Sequence, residues 1–336
     1  VLLLSAYLLL HLSSVQTWLV QKACKSLSED LNTSVTIGKV DLSFFDKLKC
    51  EEICILDQNK DTVLKIGTAE IEMNDWFFLK NKLTLESVKA KDVLLRLKRT
   101  DEKWNYTFLE DYFSKPSSPK NKSKSNFKFE LQKINLESFR FDMIDGWRGE
   151  DMIFSVDHFI SEIKRFDTDN KWIDFLQTDL NNPSFSRKDY TGLRKKIGFK
   201  TKPIIQTNEN KLPDANEWRI TSTLLNIKKG TFQNDLETER PAFTDQFDGF
   251  HFRFNDINAS MRNLSLLKDT LTATLSLATK EQCGFEVKKL EAEYKFTPQK
   301  MEFRNLTLET PLSHLSNYFS MNFDSFNDDM SEFVDS

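Results

Sequence analysis

The stretch FHFRFNDINASMRNLSLLKDTLTATLSLATKEQCGFEVKKLEAEYKFTPQKMEFRNLTL, residues 250–308, decides the fold. Phe250, Phe252 and Phe254 alternate with His251, Arg253 and Asn255, the period of two that marks a half-buried strand. The phase slips at Asp256, resumes with Ile257, Ala259 and Met261, and slips again before Leu264 and Leu266. Leu271, Ala273, Leu275 and Leu277 form the next run. Cys283, Phe285 and Val287 follow, then a slip at Lys288-Lys289 leads to Leu290, Ala292, Tyr294 and Phe296. Met301 and Phe303 precede a last slip before Leu306 and Leu308. A one-residue register change turns every side chain to the other face, so each slip must be a bulge or a tight turn. The result is a meander with one apolar face and one face of Lys, Glu, Thr, Arg and Asn.

An antiparallel sheet with a single apolar face has to cover it. No long amphipathic helix lies nearby in the sequence. The expected fold is therefore mainly β, an elongated antiparallel sheet curled into an open apolar groove, with an N-terminal transmembrane or capping helix. The alternation places Val40, Leu42, Ile71, Leu95, Phe129, Phe252, Phe254, Leu275, Phe285 and Phe296 along the groove. Arg253, Thr274, Glu286 and Lys295 face away.

Particular wordings carry a family resemblance. Residues 280–290, KEQCGFEVKKL, resemble the E-x-s-G-f-x-l-x-x-L segment of TamB-like proteins of the AsmA-like group. Residues 306–313, LTLETPLS, resemble the L-x-L-x-T-x-x-S element that there ends a strand and opens a helix. Residues 57–64, DQNKDTVL, are similar to a D-x-x-x-D-T-L turn, and Trp104-Asn105-Tyr106 to a W-N-y helix entry. Such proteins are similar to bridge-like lipid transporters, in which long sheets form an open apolar groove. The resemblance implies phospholipid acyl chains as cargo, an inner-membrane anchor with the β-rich part in the periplasm, and an Omp85-type outer-membrane barrel as partner. That barrel is engaged through C-terminal regions this chain lacks. The resemblance also implies a second role, as a scaffold for outer-membrane β-barrel assembly.

Bulk composition narrows the alternatives. Among 336 residues the formal net charge is −4, which argues against a nucleic-acid surface. Nine glycines leave no phosphate cradle. His11, His158, His251 and His314 are scattered without a catalytic spacing, so no enzyme activity, cofactor or metal is expected. Cys50 and Cys54 stand four apart in a strand-like run, too far for a disulfide within it.

In chain order, residues 1–20 contain no charge, and Leu2, Leu3, Leu4, Leu8, Leu9 and Leu10 make an apolar anchor. Residues 1–14 read as part of a transmembrane segment whose start precedes Val1, with Trp18 near the interface. Val15, Leu19, Ala23, Leu27 and Leu31 continue an amphipathic helix over 15–32. Residues 33–164 form a first β segment, interrupted by a Ser/Pro/Lys loop at 114–126. Residues 165–217 are polar, basic and poorly patterned. Residues 218–311 form a second β segment, and 312–336 a helix with an acidic tail.

Overall fold

The described residues of a computed structural model are 12–43, 46–73, 82–114, 128–194, 218–237, 241–243 and 246–323. The alternation becomes one open sheet of fifteen strands. Its first group is β1 (Val35–Thr36), β2 (Lys39–Ser43), β3 (Lys47–Leu56), β4 (Thr62–Met73) and β5 (Lys82–Arg99). A helix, α2 (Thr107–Ser114), lies in the link to β6 (Lys128–Asp145), β7 (Glu150–Asp167), β8 (Trp172–Asn181) and β9 (Ser184–Asp189). The third group is β10 (Arg219–Leu236), β11 (His251–Leu267), β12 (Thr270–Glu281), β13 (Glu286–Thr297), β14 (Lys300–Glu309) and β15 (His314–Asn322).

Within groups the pairing is antiparallel, but β5 runs parallel to β6, and β8 and β9 run parallel to β10. The wholly antiparallel expectation is corrected at these two junctions. A parallel neighbour needs a crossover of a dozen residues or more. The Ser/Pro/Lys link and the basic stretch before Trp218 supply those lengths.

Within the stretch 165–217, residues up to Asp189 thus contribute to the sheet, and 195–217 lie outside the described residues. β8 and β9 lie end to end along β10, parted at Asn182-Pro183, where Asn182 takes φ 53° and Pro183 has no N–H to give.

Among the described residues after Pro311 the expected helix is absent: 314–322 is the strand β15, paired with β14, and the expected acidic tail lies outside the described residues. Thr310 Oγ1 accepts the N–H groups of Leu312 (3.3 Å) and Ser313 (2.9 Å), and the Thr310 N–H donates to the Ser313 carbonyl. A hydroxyl bonding N–H groups two and three residues on serves a tight turn as well as a helix cap. The 306–313 element therefore closes a tight turn between β14 and β15.

Most of the phase slips share a cause, whereas the slip at Lys288-Lys289 is a register shift against β12 with no left-handed residue. Glu52, Asp92, Ser138, Lys229, Asp256, Asn263 and Asn305 sit inside strands with φ between 50° and 56°. The pairs on either side align Glu52, Gly67, Asp92 and Ser138 across β3–β6. At Gly67 an added Cβ would stand 3.0 Å from that of Asp92. At Lys229, Asp256, Asn263 and Asn305 the pairing register shifts as at a bulge; at Glu52, Asp92 and Ser138 the neighbouring strands step together and the register is kept.

At the first edge lies α1 (Ser13–Leu31). Its polar side chains act as a surrogate strand for the outer edge of β2. Thr17 Oγ1 donates to the Val40 carbonyl and accepts the Val40 N–H, both at 3.0 Å. Gln16 bonds the Leu42 carbonyl and N–H at 3.1 and 2.7 Å, and Ser13 Oγ reaches the Val40 carbonyl. Further along, Gln21 bonds the Gly38 carbonyl, and Ser28 the N–H of Val35.

The buried side of α1 carries Val20, Cys24, Leu27 and Leu31. These pack on Val35, Ile37 and Ile55 and on Phe108, Leu109 and Tyr112 of α2. Leu19 and Ala23, expected in the buried stripe, face outward, because the strand edge takes the hydroxyl and amide side of the helix.

Among the described residues no helix is long and apolar enough to cross a membrane. The expected anchor leucines, Leu2 to Leu10, lie outside those residues. Replacing Thr17 by Val should strand the Val40 N–H, while the Val40 carbonyl keeps Ser13 Oγ, and cost about 1–3 kcal/mol in urea unfolding, whereas Thr17→Ser should hold near the parent value.

Candidate functional site: the apolar face of the sheet

Register brings together residues far apart in sequence. One line crosses thirteen strands through Val40, Cys50, Ala69, Ala90, Leu136, Phe159, Leu180, Ile227, Ala259, Leu277, Leu290, Leu308 and Leu315. Every member is apolar. The line one residue over runs Asp41, Lys49, Glu70, Lys89, Asn135, Ile160, Asp179, Asn226, Ser260, Ser276, Glu291, Thr307 and Ser316, polar everywhere except Ile160. Neighbours in a strand point to opposite faces, so the two faces differ sharply over the sheet. Twelve strand spacings make the apolar line about 57 Å long.

Flanking lines widen it into a diagonal band. Two residues away lies a line from Leu42 through Leu48, Ile71, Val88 and Ile134 to Leu225, Met261, Leu275 and Ala292. Its two polar members, Ser161 and Thr178, bond each other at 2.8 Å. Beyond the left-handed residues, Ile55, Leu64, Leu95, Phe141, Phe154, Phe185, Phe232 and Phe254 line up across β3–β11. That line stops at Glu281, a buried carboxylate accepting the N–H groups of Arg253 and Cys283. On the other side Phe166, Ile173, Ile220, Leu266, Leu271, Phe296, Met301 and Met321 span β7–β15.

Little covers this band among the described residues. Among the described residues, close backbone approaches join sheet neighbours, apart from those of α1 to β1, β2 and α2. On the main line only Val40 and Ala259 are buried; Leu315 is 43% exposed and the rest are half-buried.

Most of the expected groove residues fall in the band. Val40 starts the main line, Leu42, Ile71 and Leu275 belong to the second, Leu95 and Phe254 to the phenylalanine line, and Phe296 to the last. Phe252 pairs with Asn234 and touches the rings of Phe232 (5.8 Å), Phe247 (6.3 Å) and Phe254 (5.8 Å). Phe129 lies opposite Leu83 in β6, its side chain outside the described residues. Phe285 sits in the turn between β12 and β13, 46% exposed, with its carbonyl accepting the Glu281 N–H. It does not extend the floor, because the turn ends the alternation there. Cys50, Ala69, Ala90 and Leu180 were not singled out: alternation gives each residue's face but not its partner across strands.

The opposite face is a lattice of ion pairs. Lys47 and Lys89 both bracket Glu70 and Glu72 at 3.0–3.5 Å, and Lys91–Glu137 and Lys133–Glu162 continue the pattern. Lys300, first, and the Tyr318 hydroxyl hold Glu302 down to about 2.

The residues that carry the resemblance brace one end of the sheet. Asp57 accepts the N–H groups of Asn59 and Asp61, and Asn105 bonds the Lys98 N–H and the Arg96 carbonyl on the rim of β5. Nearby, Arg99 forks onto buried Asp145 at 2.7 and 2.6 Å, with Trp104 stacked on the guanidinium. Burial alone would raise the Asp145 pKa; Arg99 and the Arg148 N–H outweigh it and leave the value lowered.

Compared with protein-family models and with curated proteins, the chain matches none.

A lowered folded-state value means that Asp145 stabilises the fold above the unfolded pKa, near 3.9, and loses this as pH falls through the folded one. Urea midpoints of Asp145→Asn should therefore change less between pH 5 and pH 2 than those of the parent, from a lower starting stability.

Proposed function

We propose that the chain carries phospholipid acyl chains along its apolar face, with headgroups in water, and so moves lipid across the gap between an inner and an outer membrane. The observation that supports this is the apolar line through thirteen strands, left half-buried along its length. Each methylene taken from water contributes about 0.8 kcal/mol, so a lipid chain needs a continuous apolar floor. A line of about 57 Å is nearly twice the thickness of a bilayer's hydrocarbon core. Repetition of similar side chains gives neighbouring positions of similar affinity, which suits sliding better than one deep pocket does. In this reading the sheet curls into an open groove, residues 1–10 anchor it in the inner membrane, and the face performs no chemistry.

A second reading rests on β15. Its sequence, HLSNYFSMN, contains no Asp, Glu, Lys, Arg or Pro, the usual guards of a sheet edge, and Leu315, Tyr318 and Phe319 are exposed. Such an edge suits a scaffold that pairs with strands of an outer-membrane barrel.

Photo-crosslinking side chains at Leu136 and Leu277 should capture phospholipid, and the same groups at Asn135 and Ser276 should not. Leu277→Glu, with an uncompensated carboxylate in the floor, should block lipid transfer between donor and acceptor vesicles. Equal capture from both faces would reject the conduit. Client strands crosslinked at Tyr318, with no lipid at Leu277, would favour the scaffold.

A further inference from the structure

One helix turn looks both ways. Ser13, Gln16 and Thr17 bond β2, while the outer side of the same two turns, Ser14 apart, is apolar. Leu12 is 50% exposed, Trp18 58% and Leu19 44%, with Val15 between them. The change in character runs along the helix axis. From Lys22 onward the outer side becomes Lys22, Lys25, Ser26 and Glu29. The Lys22 ammonium stands 5.5 Å above the Trp18 ring. Indole beside an ammonium at the end of an apolar patch is the side-chain order found where a helix leaves a bilayer, the ring at headgroup depth and the cation among phosphates. The chain preceding this patch is free of charge from Val1 to Leu12.

We propose that the outer ridge of the first two turns of α1, Leu12, Val15, Trp18 and Leu19, lies in the headgroup region of a phospholipid bilayer, with Lys22 and Lys25 facing its phosphates. This rests on the membrane attachment in the proposed function and adds where that membrane meets the sheet. Because the opposite side of these turns is bonded to Val40 and Leu42, the first strand of the apolar line is held at the bilayer surface. Lipid chains then enter at Val40 and Leu42, and the line leads away from the membrane strand by strand. The hydrogen bonds of Ser13, Gln16 and Thr17 act as the hinge pin between membrane and floor. A partner protein on the same ridge would bury Trp18 without exposing it to lipid, and the test separates the two.

The full chain is mixed with vesicles of phosphatidylcholine and phosphatidylglycerol whose acyl chains carry bromine near the headgroup, and tryptophan emission is compared with that on unbrominated vesicles. The parent should lose a share of its emission that the Trp18→Phe variant does not lose. Leu12→Lys with Leu19→Lys should lower the fraction sedimenting with vesicles several-fold. Equal bromine quenching in the parent and Trp18→Phe, with the chain still vesicle-bound, would overturn the ridge placement and leave the anchor intact. Failure of the parent to bind vesicles would overturn both. The crosslinks from Leu136 and Leu277 report on the floor independently of either.

Discussion

In-register pairing of apolar residues across the strands is the constraint on which the rest of the molecule depends. A single-layer sheet has no second layer to choose its register, so the apolar face must choose it by keeping like with like from strand to strand. Left-handed residues make this possible over strands of up to eighteen residues. Long strands twist, and a left-handed residue bends and re-phases them together. Where one strand carries such a residue, its neighbours match it at the same height: Glu52, Gly67, Asp92 and Ser138 lie on one line. Side chains at such positions are Asp, Asn, Ser or Lys more often than branched apolar residues. Asn and Asp bear positive φ best after glycine.

The ends of the sheet are treated differently. At β2 the backbone edge is closed by hydroxyl and amide side chains of α1, so the N-terminal edge is closed to strand pairing. At β15 the apolar line runs off through Leu315 with no charged guard. The closure at β2 explains why Ser13, Gln16 and Thr17, poor residues for a bilayer centre, directly follow an uncharged apolar run: they serve a strand, not lipid.

Much of the sheet was legible. The slips at Asp256, before Leu264 and before Leu306 fall at Asp256, Asn263 and Asn305, the left-handed positions. Alternation placed Leu42, Ile71, Leu95, Leu275 and Phe296 on one face. Long-range choices were not legible. Nothing local distinguishes a parallel from an antiparallel neighbour, so the junctions β5–β6 and β8–β10 were missed. The L-x-L-x-T-x-x-S wording at 306–313, which in the resembled family opens a helix, serves a hairpin turn equally, with the Thr310 hydroxyl as acceptor. Leu19 and Ala23 were assigned to the buried side of α1 because hydropathy alone cannot show that a strand edge would take the polar side. The composition of the functional face depends on partners across strands, and a single sequence gives those only through the fold.

The central claim is that one face of the sheet is apolar and open to lipid while the other is polar and open to water. A nitroxide placed in turn at Ile257, Asn258, Ala259, Ser260 and Met261 of β11, in the chain bound to phospholipid, measures this directly by collision with oxygen and with a water-soluble relaxant. The account predicts strict alternation, with oxygen dominant at Ile257, Ala259 and Met261 and the polar relaxant dominant at Asn258 and Ser260. Shielding of Ile257 and Met261 from both reagents would show that protein covers the face and would contradict the account.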